Sequence, residues 1–126
     1  MSSLSALIID DEDGLRDIYR EYFQIAGYAD VQTAPDGLEA FALCAQKKYD
    51  VITLDHRMPM VKGADFLRAL RKKAGPNQQT PVLMISGFIP EFRETVEMLE
   101  HTFFLDKPID LEKFTKYVNL IKATKR

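Results

Sequence analysis

Residues 50–71 read DVITLDHRMPMVKGADFLRALR. The segment VITL (51–54) is a continuous apolar run, not an alternating one. A strand reads this way when neither of its faces meets water, which points to a parallel sheet between layers of helices. The run stops at Asp55, and after a polar stretch Phe66, Leu67 and Leu70 return at helical spacing. One strand, one charged strand end and one helix are thus written in succession.

The same order recurs along the chain. ALII (6–9) and VLMI (82–85) are continuous apolar runs, TFFL (102–105) is a shorter one, and a weaker strand lies around residues 29–33. Leu15, Ile18, Tyr19, Tyr22 and Phe23 follow helical spacing, as do Leu38, Phe41, Ala42 and Ala45. Pro90 suits the first turn of a helix carrying Phe92, Val96 and Leu99. Leu111, Phe114, Val118 and Ile121 mark a last helix with Asp110 as its N-cap. RKKAGPNQQTP reads as a loop, and Pro81 fits only the start of a strand. Strand and helix alternate five times, so the expected fold is an open α/β sheet with right-handed crossovers and helices on both faces.

Composition agrees with a single domain over residues 1–126, with 46% hydrophobic and 29% charged residues. The formal net charge of −2 provides no general attraction to nucleic acid. The single cysteine, Cys44, excludes an internal disulfide and fits a reducing cytoplasm. No apolar run is long enough to cross a membrane, and the N-terminus reaches its acids too soon for a signal peptide.

In open α/β sheets the functional site lies beyond the carboxyl ends of the strands. Asp10 and Asp11 follow the first strand, Asp55 the third, Ser86 and Gly87 the fourth, and Lys107 and Pro108 the fifth. Each alone reads as a turn residue or a solvated charge. Together they place three carboxylates, a hydroxyl and an ammonium on one edge. Clustered carboxylates suit a hard divalent cation such as Mg²⁺, and a lysine and a serine suit phosphoryl oxygens. One carboxylate can then attack phosphorus in line to give an acyl phosphate. Asp55, on the central strand, is the best placed.

With those residues in view, the chain resembles a response-regulator receiver domain, as in single-domain chemotaxis and sporulation regulators. The resemblance rests on LIIDDED, on DVITLDHRMPMVKGADFLRALR, on TPVLMISG, on FFLDKP and on APDGLEAF, in that order over essentially the whole chain. It implies a flavodoxin-like, doubly wound, five-stranded parallel sheet of order 2-1-3-4-5 with five helices. It implies that Asp55 accepts phosphate from the phosphohistidine of a sensor histidine kinase or phosphotransfer protein. Asp10, Asp11 and Asp55, with the backbone carbonyl of Arg57, are then the Mg²⁺ ligands. Ser86 and Lys107 contact the phosphoryl group, assisted by backbone N–H groups near Arg57 and Gly87. Phe104 takes the position of the switch aromatic, and the Lys107–Pro108 peptide is expected to be cis. The face built from the fourth helix, fifth strand and fifth helix, with Phe92, Phe104 and Lys116, carries the signal. Arg57 and Phe88 flank the approach of water and set the lifetime of the phosphorylated state.

Other expectations concern single residues. Asp13 is expected to cap the first helix, His56 to face solvent or a loop, and His101 to end a helix. Cys44 is expected in the core, and the tail KATKR in solvent. Of Phe103 and Phe104, one should be core and the other nearer the switch face. With a start at Met1 and a full helix count, the chain is expected to be a complete protein that signals through a downstream protein target, as a monomer or a phosphorylation-dependent dimer.

Three other readings compete. DEDGL (11–15) also matches the D-x-D-G opening of haloacid dehalogenase-like phosphatases, with Asp11 as nucleophile, but that reading gives Asp55 no task. It also needs a further strand and acidic pair beyond Lys107. A receiver-like interaction module that never carries phosphate leaves the acids, Ser86 and Lys107 unexplained. A flavin-binding protein needs a Gly/Ser/Thr-rich phosphate cradle where this chain has acids.

Overall fold

The computed structural model describes residues 3–58, 60–87 and 100–124. The elements are β1 (Ser5–Ile9), α1 (Asp13–Ile25), β2 (Asp30–Ala34), α2 (Gly37–Gln46), β3 (Val51–Asp55), α3 (Gly63–Lys72), β4 (Val82–Ser86), β5 (Thr102–Asp106) and α4 (Leu111–Thr124). The strands form one parallel sheet of order β2-β1-β3-β4-β5, as expected. Four helices stand among the described residues. The predicted helix carrying Pro90, Phe92, Val96 and Leu99 lies outside them, as does Phe88.

Alternation along the buried strands sends side chains to two cores. Ile52 and Leu54 of β3 pack with Phe66 and Leu67 of α3 and Cys44 of α2. Val51 faces the other way and packs with Tyr19 and Phe23 of α1 and Phe114 and Val118 of α4. Phe114 joins α1 to α4, its ring 4.7 Å from that of Phe23 and tilted edge-on. Burial of an aromatic side chain of this kind stabilises the fold by roughly 1.5–3 kcal/mol. β1, β3 and β4 are buried throughout, which is why they read as continuous apolar runs. β2 is an edge strand, half-buried along most of its length, and its sequence signal is correspondingly weak.

The loop between α3 and β4 is more than a polar connection. Asn77 is fully buried, and its Oδ1 accepts from the Tyr49 N–H at 2.8 Å and the Thr80 hydroxyl at 2.9 Å. Its Nδ2 donates to the carbonyls of Cys44 and Lys47, both at 2.8 Å. Arg71, in the last turn of α3, is also buried. Its guanidinium donates to the carbonyls of Gln78, Thr80 and His101 and to the Thr102 hydroxyl. Burial of that cation lowers its pKa to about 10.

Some local expectations change. Asp13 does not cap α1: Glu12 holds the N-cap position without a side-chain bond, and Asp13 is the first helical residue, exposed and paired with Arg16. The Glu12 N–H instead reaches back to the Asp10 carboxylate at 3.0 Å, which draws the turn toward β1. His101 has φ of 60° and its carbonyl serves Val82 and Arg71, while the helix it is expected to end lies outside the described residues. Asp110 does accept from the first turn of α4, at Lys113. Cys44 is core, and burial pushes its thiol up to about 12.

Candidate functional site

Parallel strands all end on one side, so the residues after β1, β3, β4 and β5 share one edge of the sheet. Asp10 follows β1 directly and its N–H bonds the Ala34 carbonyl of β2 at 3.1 Å, so the backbone is fixed up to the carboxylate. Arg16 of α1 holds the Asp10 carbonyl from the other side at 2.6 Å. Asp55 closes β3, and its Oδ1 accepts from the Arg57 N–H at 3.3 Å. Asp10 and Asp55 are buried, and Asp11 is exposed.

The three carboxylates converge: one oxygen each from Asp10, Asp11 and Asp55 lie within 4.8 Å of one another. Lys107 Nζ stands 3.4 Å from Asp55 Oδ1 and 3.7 Å from Asp10 Oδ2. The Lys107–Pro108 peptide is cis. The Lys107 N–H bonds the Ser86 carbonyl at 3.1 Å, which ties the lysine to the end of β4. Ser86 is buried and pairs in register with Asp106.

One ammonium does not balance three acids in a partly desolvated place. Burial raises the Asp10 carboxyl to about 6, opposed by the Glu12 N–H and Lys107 and reinforced by Asp55 and Asp11. Burial also raises Asp55, against the pull of Lys107 and the Arg57 N–H. Burial lifts the Tyr19 phenol as well, and the charges of Asp10 and Asp55 push the same way, so the acids are felt in the core beneath them. An all-oxygen donor set with excess negative charge fits a hard divalent cation.

Two contacts that place Asp55 were not read from the sequence. Gly63, first residue of α3, lies so close to β3 that a Cβ there would stand 2.6 Å from the Asp55 carbonyl oxygen and from the His56 Cα. His56 is buried rather than solvated; its Nδ1 accepts from the Ala64 N–H at 3.3 Å and its carbonyl from the Gly63 N–H at 2.9 Å. Gly63 stands in the quoted motif, but only the close approach of α3 gives it a task.

Phe103 and Phe104 point to opposite faces. Phe103 meets Tyr117 of α4, with ring centroids 6.1 Å apart, and Phe104 packs against the core on the α3 side. Both are half-buried, so neither is purely core. Arg57 and Gly87 are exposed at the mouth of the site. Asp13, which the D-x-D-G reading requires beside Asp11, stays out of the carboxylate group and pairs with Arg16.

A family model described as "Response regulator receiver domain" matches residues 6–119. The DNA-binding dual master transcriptional regulator RpaA of Synechocystis sp. is 32% identical over 123 residues, covering 95% of this chain and 50% of that protein. Sporulation initiation phosphotransferase F of Bacillus subtilis is 28% identical over 113 residues, covering 90% of this chain and 89% of that protein. The structure of the chemotaxis response regulator CheY4 of Vibrio cholerae superposes with a TM-score of 0.83 at 30% identity, over 95% of this chain and 99% of that one. The chain spans half or less of the length of the first curated relatives it matches.

Proposed function

The chain belongs to the response regulator receiver family of two-component signalling, and on that premise we propose that Asp55 is its phosphoacceptor in a Mg²⁺-dependent transfer from a phosphohistidine. The observation that supports this most is the convergence of Asp10, Asp11 and Asp55 with the Lys107 ammonium 3.4 Å from Asp55. The carboxylates of Asp10, Asp11 and Asp55 and the carbonyl of Arg57 would hold the metal. Bound there, Mg²⁺ supplies charge that offsets the phosphoryl oxygens.

The protein's own groups divide the remaining work. Asp55 Oδ1 is held by Arg57 N–H and Lys107, which leaves Oδ2 as the attacking oxygen. Burial makes that carboxylate a stronger base than a solvated one, and Lys107 opposes the rise by favouring the charged form. Oδ2 forms a bond to phosphorus as the phosphorus–nitrogen bond breaks, and the donor imidazole leaves with the electron pair. Lys107, the Ser86 hydroxyl and the N–H of Gly87 then face the transferred oxygens. Arg57 and Phe88 limit the approach of water, and the chain's own chemistry is confined to gaining and losing this group.

Its partners on this reading are a sensor histidine kinase or phosphotransfer protein and a downstream protein target. The signalling face includes Phe104 of β5 and the exposed Lys116 of α4. Incubation with isotopically labelled acetyl phosphate and Mg²⁺ should label the protein, and Asp55→Asn should abolish the label. Label that persists in Asp55→Asn but is lost in Asp11→Asn would replace this reading with the phosphatase one.

A further inference from the structure

A cavity of about 450 Å³ lies between α2, α3 and the loop after α3, where these helices run back toward the start of the strands. It is therefore at the end of the sheet away from the acidic cluster. Phe41, Cys44, Ala69 and Leu70 give it apolar walls. Asn77 also lines it, but that amide is saturated by Tyr49, Thr80, Cys44 and Lys47 and offers a guest nothing polar.

The lining has one charged residue, Lys73. Lys73 is exposed, and its ammonium makes no ion pair among the described residues. The carbonyls at the C-terminus of α3 disfavour an anion, but Arg71, Lys72 and Lys73 offset them at the same helix end. An apolar chamber with one unmatched cation at its rim is the usual composition of a small-molecule site, and its volume is within the ordinary range of roughly 300–1,000 Å³.

We propose that this cavity binds a small amphipathic carboxylate, with its aliphatic chain between α2 and α3 and its head on Lys73. The site is independent of the phosphoryl chemistry and stands or falls separately from it. The test is calorimetric titration of the full chain with n-octanoate, and with n-octylammonium as the oppositely charged control. Octanoate should bind at least tenfold more tightly than octylammonium. Lys73→Glu should reduce octanoate affinity at least tenfold. Ala45→Trp, at an exposed position of α2 on the cavity lining, should abolish binding without disturbing the fold. Octanoate should also shift the NMR resonances of Phe41, Ala45 and Leu70 while leaving those of Asp10 and Asp11 unchanged, which locates it. Equal affinity for the two amphiphiles, unchanged octanoate affinity in Lys73→Glu or Ala45→Trp, or unshifted Phe41, Ala45 and Leu70 resonances would overturn the proposal.

Discussion

Lys107 stands 3.4 Å from the carboxylate of Asp55, and no other ammonium or guanidinium pairs with that acid among the described residues. Replacing it with methionine leaves Asp10 and Asp55 buried without their cation. Removal of one partner from a buried charge group destabilises by roughly 1–3 kcal/mol or more. Lys107→Met should therefore lower the urea midpoint at pH 7 in EDTA, and slow phosphorylation at least tenfold. A variant as stable and as reactive as the parent would show that the contact is incidental.

Asp10 gives the pH dependence. Its carboxyl titrates near 6 in the fold against 3.8 for an unburied one, so the folded chain binds the proton more tightly. Between those values stability falls as pH rises, and the full penalty is present above about 6. Without Mg²⁺, Asp10→Asn should be more stable than the parent at pH 7 by roughly 2–3 kcal/mol. That gap should close as the pH approaches 4. A constant gap across the range, measured by urea unfolding in EDTA, would show that ionisation of Asp10 is not its origin.

Two glycines should respond in opposite directions. At Gly63 a methyl group meets backbone at 2.6 Å, and Gly63→Ala should destabilise the protein by roughly 3 kcal/mol or disorder the Asp55 loop. At Gly14, inside α1, a Cβ has nothing within 4 Å, and Gly14→Ala should stabilise by about 0.5–1 kcal/mol. Thermal unfolding of both variants checks the pair.

Met60 carries φ of 70° and is among the most exposed large apolar residues described. A left-handed conformation costs a residue with a Cβ about 1–2 kcal/mol, part of which glycine recovers against its own greater freedom when unfolded. Met60→Gly should stabilise by roughly 0.5–1 kcal/mol by the same measurement. A loss of stability would mean that the Met60 side chain makes contacts worth more than the strain.

The phosphorylated lifetime tests the mouth of the site. Arg57 is exposed there, and Phe88 lies outside the described residues. Loss of both side chains should shorten the lifetime while leaving phosphorylation intact. Decay of labelled Arg57→Ala/Phe88→Ala protein in excess Mg²⁺ is the measurement, and an unchanged lifetime would remove both residues from that role.

The strands were legible because burial on both faces writes a continuous apolar run, and their charged ends were legible because a parallel sheet brings all such ends together. The edge strand β2 was displaced by one residue, 30–34 against 29–33, because half-burial leaves a mixed pattern. Asn77 and Arg71 were not legible. In one dimension a buried asparagine in GPNQQ looks like any turn residue, and only the Cys44 and Lys47 carbonyls at the end of α2 and the Tyr49 N–H ahead of β3 show otherwise. Asp13 was misplaced for a related reason: the Asp10 side chain, three residues earlier, satisfies the turn from inside the site.

The Arg71 guanidinium has a mechanical meaning. It grips the carbonyls of Thr80 and His101, which stand just before β4 and β5, and the His101 carbonyl also holds the Val82 N–H. A slide of β5 along β4 would tear those bonds from a buried cation. Arg71 thus acts as a clamp on register: it fixes β5 against β4 at the end of the sheet remote from Lys107 and Asp55, and the ladder from Val82↔Thr102 to Ser86↔Asp106 carries that register to the site.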